Sequence, residues 1–180
     1  MKAAVVFPGQ GSQAVGMADS LFAATEVQTL FQQASTVLGY DLAEIIAINP
    51  DDKLNLTQYT QPALLVTSYA LWTCWQAEVQ ATPDYLAGHS LGEYTALLCA
   101  GVLDFEHAVA LVAKRGELMQ AAVPSGVGAM AAIIGLDDDT VASVCADIST
   151  ASALVAPANY NSPGQVVIAG HTAAVNAAMD

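Results

Sequence analysis

Tyr85-Leu86-Ala87-Gly88-His89-Ser90-Leu91-Gly92-Glu93-Tyr94 is the stretch that decides the fold. Tyr85 to Gly88 reads as a short strand, and Ser90 to Ala100 reads as a helix that follows it directly. Between them Gly88-His89-Ser90-Leu91-Gly92 fits G-x-S-x-G in the context that gives the pattern its meaning, a strand before and a helix after. The turn is too tight for side chains at its flanking positions, which explains both glycines. It holds the serine in a strained conformation with Oγ exposed at a helix N-terminus. The helix dipole and the Leu91 backbone N–H then face the place where negative charge develops on an attacked carbonyl. Ser90 is therefore the candidate nucleophile, and the expected fold class is α/β. The plain alternative is a glycine-rich turn with an incidental serine.

Working outward, Lys2 to Phe7 reads as a buried strand closed by Pro8-Gly9. The loop Pro8-Gly9-Gln10-Gly11-Ser12-Gln13 follows, then helical patterning from about Met17 to Leu38. Thr60 reads as an N-cap with Pro62 in the first turn. The helix it opens, through Leu64, Val66, Trp72 and Trp75, is apolar nearly all round, so it belongs in the middle of the fold. Asp104 is placed to cap a helix from Phe105 to about Ala121. At Pro124-Ser125-Gly126 the pattern changes. Val127 to Leu136 reads as a strand, and Asp137-Asp138-Asp139 starts a helix with acidic residues at the positive dipole end. Leu154 to Asn159 is a strand, Asn161-Ser162-Pro163-Gly164 a turn, Gln165 to Ala169 a strand, and Thr172 opens a last helix. This order is β-α-β-β-α, one strand short of a ferredoxin-like β-α-β-β-α-β unit. The Ala-rich end carries no helix stop signal. Both features read as a piece of a longer polypeptide, with one domain over 1–123 and a second over 124–180.

The composition narrows the function. The chain has 180 residues, 54% of them hydrophobic, and a mean hydropathy of +0.46, which excludes general disorder. No apolar run reaches the ~18 residues of a membrane span. The apolar start is too short for a signal peptide. Four Lys+Arg against 17 Asp+Glu give a formal net charge of −13, which argues against nucleic acid as a partner. Cys74, Cys99 and Cys145 are odd in number and widely spaced, which suggests neither a disulfide framework nor a zinc site and fits a reducing cytoplasm.

A serine nucleophile needs a base. The histidines are His89, His107 and His171, and none is well placed by the sequence. His89 is beside Ser90 on the elbow and should point elsewhere. His107 falls in the first turn after Asp104, and His171 at a turn. In elbow enzymes of the α/β-hydrolase type the histidine comes last in the chain, where a shortened chain would lack it. Gly9-Gln10-Gly11 follows a strand, but the next glycine, Gly16, comes too late for a dinucleotide fingerprint, and no P-loop lysine follows. Such a loop can instead present a second backbone N–H beside the elbow, or be a plain turn. Arg115, the only arginine, offers a planar, bidentate fit to a carboxylate. The alternative for it is a solvated helix side chain next to Lys114.

Taken in order, Phe7-Pro8-Gly9-Gln10-Gly11-Ser12-Gln13, Thr60-Gln61-Pro62-Ala63-Leu64, Gly88-His89-Ser90-Leu91-Gly92-Glu93-Tyr94, Arg115-Gly116, Gly128-Ala129-Met130-Ala131-Ala132-Ile133 and Asn159-Tyr160-Asn161-Ser162-Pro163-Gly164-Gln165 resemble the malonyl-CoA:acyl-carrier-protein transacylases of fatty acid synthesis. Acyltransferase domains of polyketide synthases share the pattern. The resemblance implies an incomplete α/β-hydrolase-like domain with an inserted ferredoxin-like subdomain lacking its last strand. It implies Ser90 as the acyl-accepting nucleophile and the backbone N–H groups of Gln10 and Leu91 as the oxyanion hole. Arg115 would pair with the malonyl carboxylate, and Met119 and Met130 would line the acyl pocket, although core packing explains methionines equally well. Malonyl-CoA and acyl carrier protein would be substrate and partner, with CoA not a bound cofactor and no metal. The family's base is a histidine beyond the position where this chain ends, so the missing C-terminal part is itself an expected partner. A serine hydrolase or thioesterase with the same elbow, and an inactive folding or binding unit, are the rival expectations.

Overall fold

The computed structural model describes residues 2–124 and 126–180. Ser125, the middle of the Pro124-Ser125-Gly126 break, lies outside the described residues, as does Met1. The chain forms two compact units, Met1–Ala121 and Ala122–Asp180.

In the first unit β1 (Ala4–Phe7) pairs in parallel with β2 (Tyr85–Gly88), Ala4 opposite Tyr85 and Phe7 opposite Gly88. Parallel neighbours need a long crossover. Here it contains α1 (Thr25–Leu38), α2 (Leu42–Ile48) and α3 (Thr57–Val79), while α4 (Leu91–Cys99) and α5 (Phe105–Ala122) follow β2. The girth of apolar residues on α3 has the expected result. Every residue from Thr60 to Ser68 is buried, as are Ala70 and Trp72. Val27 and Phe31 of α1, Leu42 and Ile46 of α2, Leu91 and Leu98 of α4, and Val109 and Val112 of α5 belong to the same core. A smaller cluster holds the strands: Phe7 meets Trp72 edge-on at 6.2 Å between ring centroids, with Ala96 buried beside them. Each such large apolar side chain contributes about 1.5–3 kcal/mol through burial.

The start of α3 corrects the sequence reading. The helix opens at Thr57 after the extended Leu56, not at Thr60, and Pro62 lies in its second turn. Thr60 is buried, and its hydroxyl donates back to the carbonyls of Leu54 at 2.6 Å and Leu56 at 3.1 Å. A threonine that bonds backward inside a helix presents the same residue type as a cap. Met17 to Leu38 is likewise not one helix. A 3-10 turn at Asp19–Leu21 comes first, and the extended Ala24 separates it from α1. Patterning left α2 unassigned. It is capped by Asp41, whose side chain accepts from the Glu44 N–H at 3.0 Å.

The second unit contains β3 (Gly128–Ile134), α6 (Asp138–Ile148), β4 (Val155–Ser162), β5 (Gln165–His171) and α7 (Thr172–Met179). Its sheet is antiparallel in the order β3-β5-β4. Val141, Cys145, Val155, Val166, Ile168 and Val175 form its core. The helix start expected at Asp137-Asp138-Asp139 is there, and Asp137 is its cap, accepting from the Thr140 N–H at 2.8 Å. β4 continues beyond Asn159 to Ser162, so the expected four-residue turn shrinks to Pro163-Gly164, with Gly164 at φ 76°. Pro157, which cannot donate to a ladder, sits on this outer strand beside a register shift. No helix among the described residues is long and apolar enough to cross a membrane.

Candidate active site

The elbow has the geometry that its glycines imply. A Cβ on Gly88 would stand 2.0 Å from the Gly92 carbonyl carbon, and one on Gly92 would stand 2.2 Å from the Phe7 carbonyl oxygen. β1, β2 and α4 therefore meet backbone to backbone. Ser90, between them, has φ 54° and ψ −111°, a conformation that an L side chain enters only when its surroundings force it. It is exposed and stands at the N-cap of α4. Behind it the Gly92 N–H donates to the His89 carbonyl at 2.9 Å and the Glu93 N–H to the Ser90 carbonyl at 3.2 Å. Neither bond uses the N–H of Leu91, which leads the helix.

The glycine loop lies against this turn. A Cβ on Gly9 would be 2.9 Å from the His89 carbonyl oxygen. The loop is tied internally by Ser12, whose hydroxyl donates to the Gly9 carbonyl at 2.8 Å, and by the Gly11 N–H, which donates to Gln13 Oε1 at 2.8 Å. Gln10 Nε2 reaches Thr57 Oγ1 at 3.1 Å, which anchors the loop to the start of α3. Gly9, the neighbour of Gln10 in the chain, thus rests directly against the elbow.

Arg115 is not a solvated surface residue. Its Nη2 donates to Ser90 Oγ at 2.9 Å and its Nη1 to Gln61 Oε1 at 2.6 Å. The guanidinium also lies over the Tyr94 ring, 5.4 Å from its centre. Gly116 makes this reach possible, because a Cβ there would be 2.7 Å from both Gln58 Cα and the Thr57 carbonyl oxygen. α5 thereby comes close to the start of α3. One turn beyond Arg115, Met119 Sδ accepts from Gln61 Nε2 at 3.2 Å. Ser90, Arg115, Gln61 and Met119 are thus linked in that order, and Gln61 has no role assigned to it by the sequence. Its signal is a long polar side chain directly before the apolar run Pro62-Ala63-Leu64-Leu65-Val66. Met130 lies on β3 of the second unit and is exposed.

His107 and His171 have other partners. His107 pairs with Asp104 at the start of α5, where Asp104 also accepts from the His107 N–H. That hydrogen bond holds the Asp104 carboxyl below its ordinary range and raises His107 above its own. His171 Nδ1 accepts from the Leu154 N–H at 3.0 Å. Burial pushes the Cys99 thiol up to about 12, so it stays protonated and inert. Cys74, Cys99 and Cys145 are free thiols. Among the described residues no group of three or more His, Cys, Asp or Glu could hold a metal ion.

Residues 4–180 match the model of the acyl transferase domain family. The malonyl CoA-acyl carrier protein transacylase of Escherichia coli strain K12 is 55% identical over 176 residues, which are 97% of this chain and 57% of that protein. Among solved structures, the malonyl CoA-acyl carrier protein transacylase of Coxiella burnetii superposes with a TM-score of 0.93 at 49% identity, over 99% of this chain and 57% of that one. A type II PKS acyl-carrier protein in complex with its malonyl-transacylase gives a TM-score of 0.91 at 51% identity, over 99% of this chain and 58% of the matched one. The chain spans little more than half the length of the relatives it matches. With a strained elbow serine, a glycine loop packed on it and a family match over nearly its whole length, the chain belongs to the acyl transferase domain family.

Proposed function

We propose that this chain carries the acyl-accepting half of a malonyl-CoA:acyl-carrier-protein transacylase. The observation that carries the reading is the 2.9 Å contact between Arg115 Nη2 and Ser90 Oγ. It puts a group that reads carboxylates within reach of whatever is bonded to the nucleophile. Ser90 Oγ attacks the thioester carbonyl of malonyl-CoA, and the N–H groups of Gln10 and Leu91 take the oxyanion. The C–S bond breaks, CoA leaves as its thiol, and malonyl-Ser90 remains. The phosphopantetheine thiol of acyl carrier protein then attacks the ester, and the serine regains its proton, a ping-pong sequence. The base is a histidine of the part of the relatives' length that this chain does not span. Arg115 pairs with the free carboxylate of the malonyl group, and an acetyl group would leave that guanidinium unpaired, which costs binding. Met119, bonded to Gln61, lines the acyl pocket, and Met130 is a pocket candidate on the resemblance alone. CoA is a substrate and no resident cofactor or metal takes part.

The finer fold reading belongs to the same proposal. Residues 1–123 are the first part of an α/β-hydrolase-like domain, and 124–180 a ferredoxin-like insertion. The strand order β3-β5-β4 supports it, since a split β-α-β places the third strand between the first two. The setting is the cytoplasm, which the free thiols favour. The experiment is intact mass spectrometry after brief exposure to malonyl-CoA, beside Ser90→Ala. A malonyl adduct absent from the variant supports the reading. An equal adduct on both would remove Ser90 from it. Release of malonate without any carrier thiol would favour a hydrolase instead.

A further inference from the structure

Gln61 is fully buried, and its side-chain amide is hydrogen-bonded to Arg115 at one end and to Met119 at the other. A buried amide normally has all its polar atoms satisfied. Here one end faces a guanidinium and the other a thioether, which is a weak acceptor. The guanidinium has only donors, so it fixes the amide with Oε1 toward Arg115. In turn the amide takes one arm of the guanidinium and leaves the other facing Ser90 Oγ.

From this arrangement we propose that Gln61 is the positioning residue that sets acyl selectivity: it holds Arg115 in place with a neutral acceptor, so that the full positive charge remains for the carboxylate of the acyl group. The inference rests on the reading of Arg115 as the carboxylate-binding group. The neutrality of the amide is the central point. A charge-assisted hydrogen bond to an amide orients a guanidinium without cancelling its charge. A carboxylate at this position would orient it equally well and would form a buried ion pair, so a second carboxylate arriving from solvent would find no net charge to pair with. An apolar residue would leave the charge but not the position. Tyr94, on the other side, offers only a ring face and no directional bond. Orientation and free charge are thus separate properties, and a neutral amide supplies both.

The chain's single arginine makes the test direct, because the guanidinium N–H signals in a nitrogen-15 spectrum can belong to no other residue. In the unaltered 180-residue chain the Arg115 signals are expected to be sharp and displaced from those of free arginine. Malonyl-CoA should shift them, and acetyl-CoA should not. In Gln61→Leu they should collapse toward free arginine, and malonyl-CoA affinity should fall about tenfold. In Gln61→Glu they should stay ordered, yet the malonyl-CoA response should fall by at least as much. Signals unchanged in Gln61→Leu would overturn the positioning role. Should that variant not fold, Gln61→Glu decides alone, and an undiminished malonyl-CoA response there would overturn the proposal. If the unaltered chain's Arg115 ignores malonyl-CoA while Gln61→Leu still frees it, the functional reading fails and the holding role of Gln61 stands.

Discussion

At the scale of single residues, Ser90 stores the clearest strain. Its φ of 54° with ψ −111° costs about 1–3 kcal/mol for a residue with a Cβ. Ser90→Gly should therefore stabilise the chain by about 1 kcal/mol, even though it removes the candidate nucleophile. Ser90→Ala, which keeps the Cβ, should give no such gain. Urea unfolding of both variants checks this, and equal midpoints would show that the turn holds no strain. Gly92→Ala should do the reverse. Its Cβ would meet the Phe7 carbonyl at 2.2 Å, so β1 must move, at a cost of about 3 kcal/mol or more. A variant as stable as the parent would mean that the contact is looser than the backbone positions imply.

Among the elements, α5 depends on the pair at its first turn. Asp104 raises His107, so that share of stability is complete below the unfolded histidine range and fades as pH rises through the raised folded value. The same bond lowers Asp104, so its share is present above the unfolded carboxylate range and fades as pH falls through the lowered folded value. The two overlap in mildly acidic to neutral solution. Asp104→Asn should return the His107 titration toward the ordinary histidine range, as followed by NMR. On α2, Asp41→Ala should cost about 1 kcal/mol by removing the acceptor for the Glu44 N–H. The cap Asp104, the acidic helix start at Asp137 and the elbow are legible in the sequence because each is a local pattern, complete within five residues. The start of α3 was not, because Thr60 bonds backward and only the path of the chain before it distinguishes that from capping. Asp41 and Glu44 carried a capping signal that the reading passed over. Arg115 stands out in the sequence for its chemistry, but its arrival at Ser90 depends on the absence of a side chain at Gly116, 58 and 59 residues along the chain from the backbone it touches at Gln58 and Thr57. Gln61 was legible only as a residue in a resembling segment, since its role exists only once α3 and α5 are packed.

For the molecule as a whole, the net charge of −13 is the dominant electrostatic fact. Like charges on a folded surface repel one another, and salt screens them over a distance of about 10 Å at moderate ionic strength. The thermal unfolding midpoint at neutral pH should rise as salt is raised from low to physiological levels. A midpoint indifferent to salt would mean that the acidic groups are locally balanced. The elbow answers to a different kind of constraint. Gly9 rests on the His89 carbonyl and Gly92 on the Phe7 carbonyl, so the candidate catalytic frame is a junction of main chain with main chain. Its shape is therefore written in the positions that lack a side chain and is indifferent to most of those that have one. A library covering every substitution from Phe7 to Tyr94 should show narrow wells of intolerance at Gly9, Gly88 and Gly92. Chemically conspicuous neighbours such as His89 should accept replacement with the frame intact. Heredity in this fold would then follow the glycines more faithfully than the groups they carry into place.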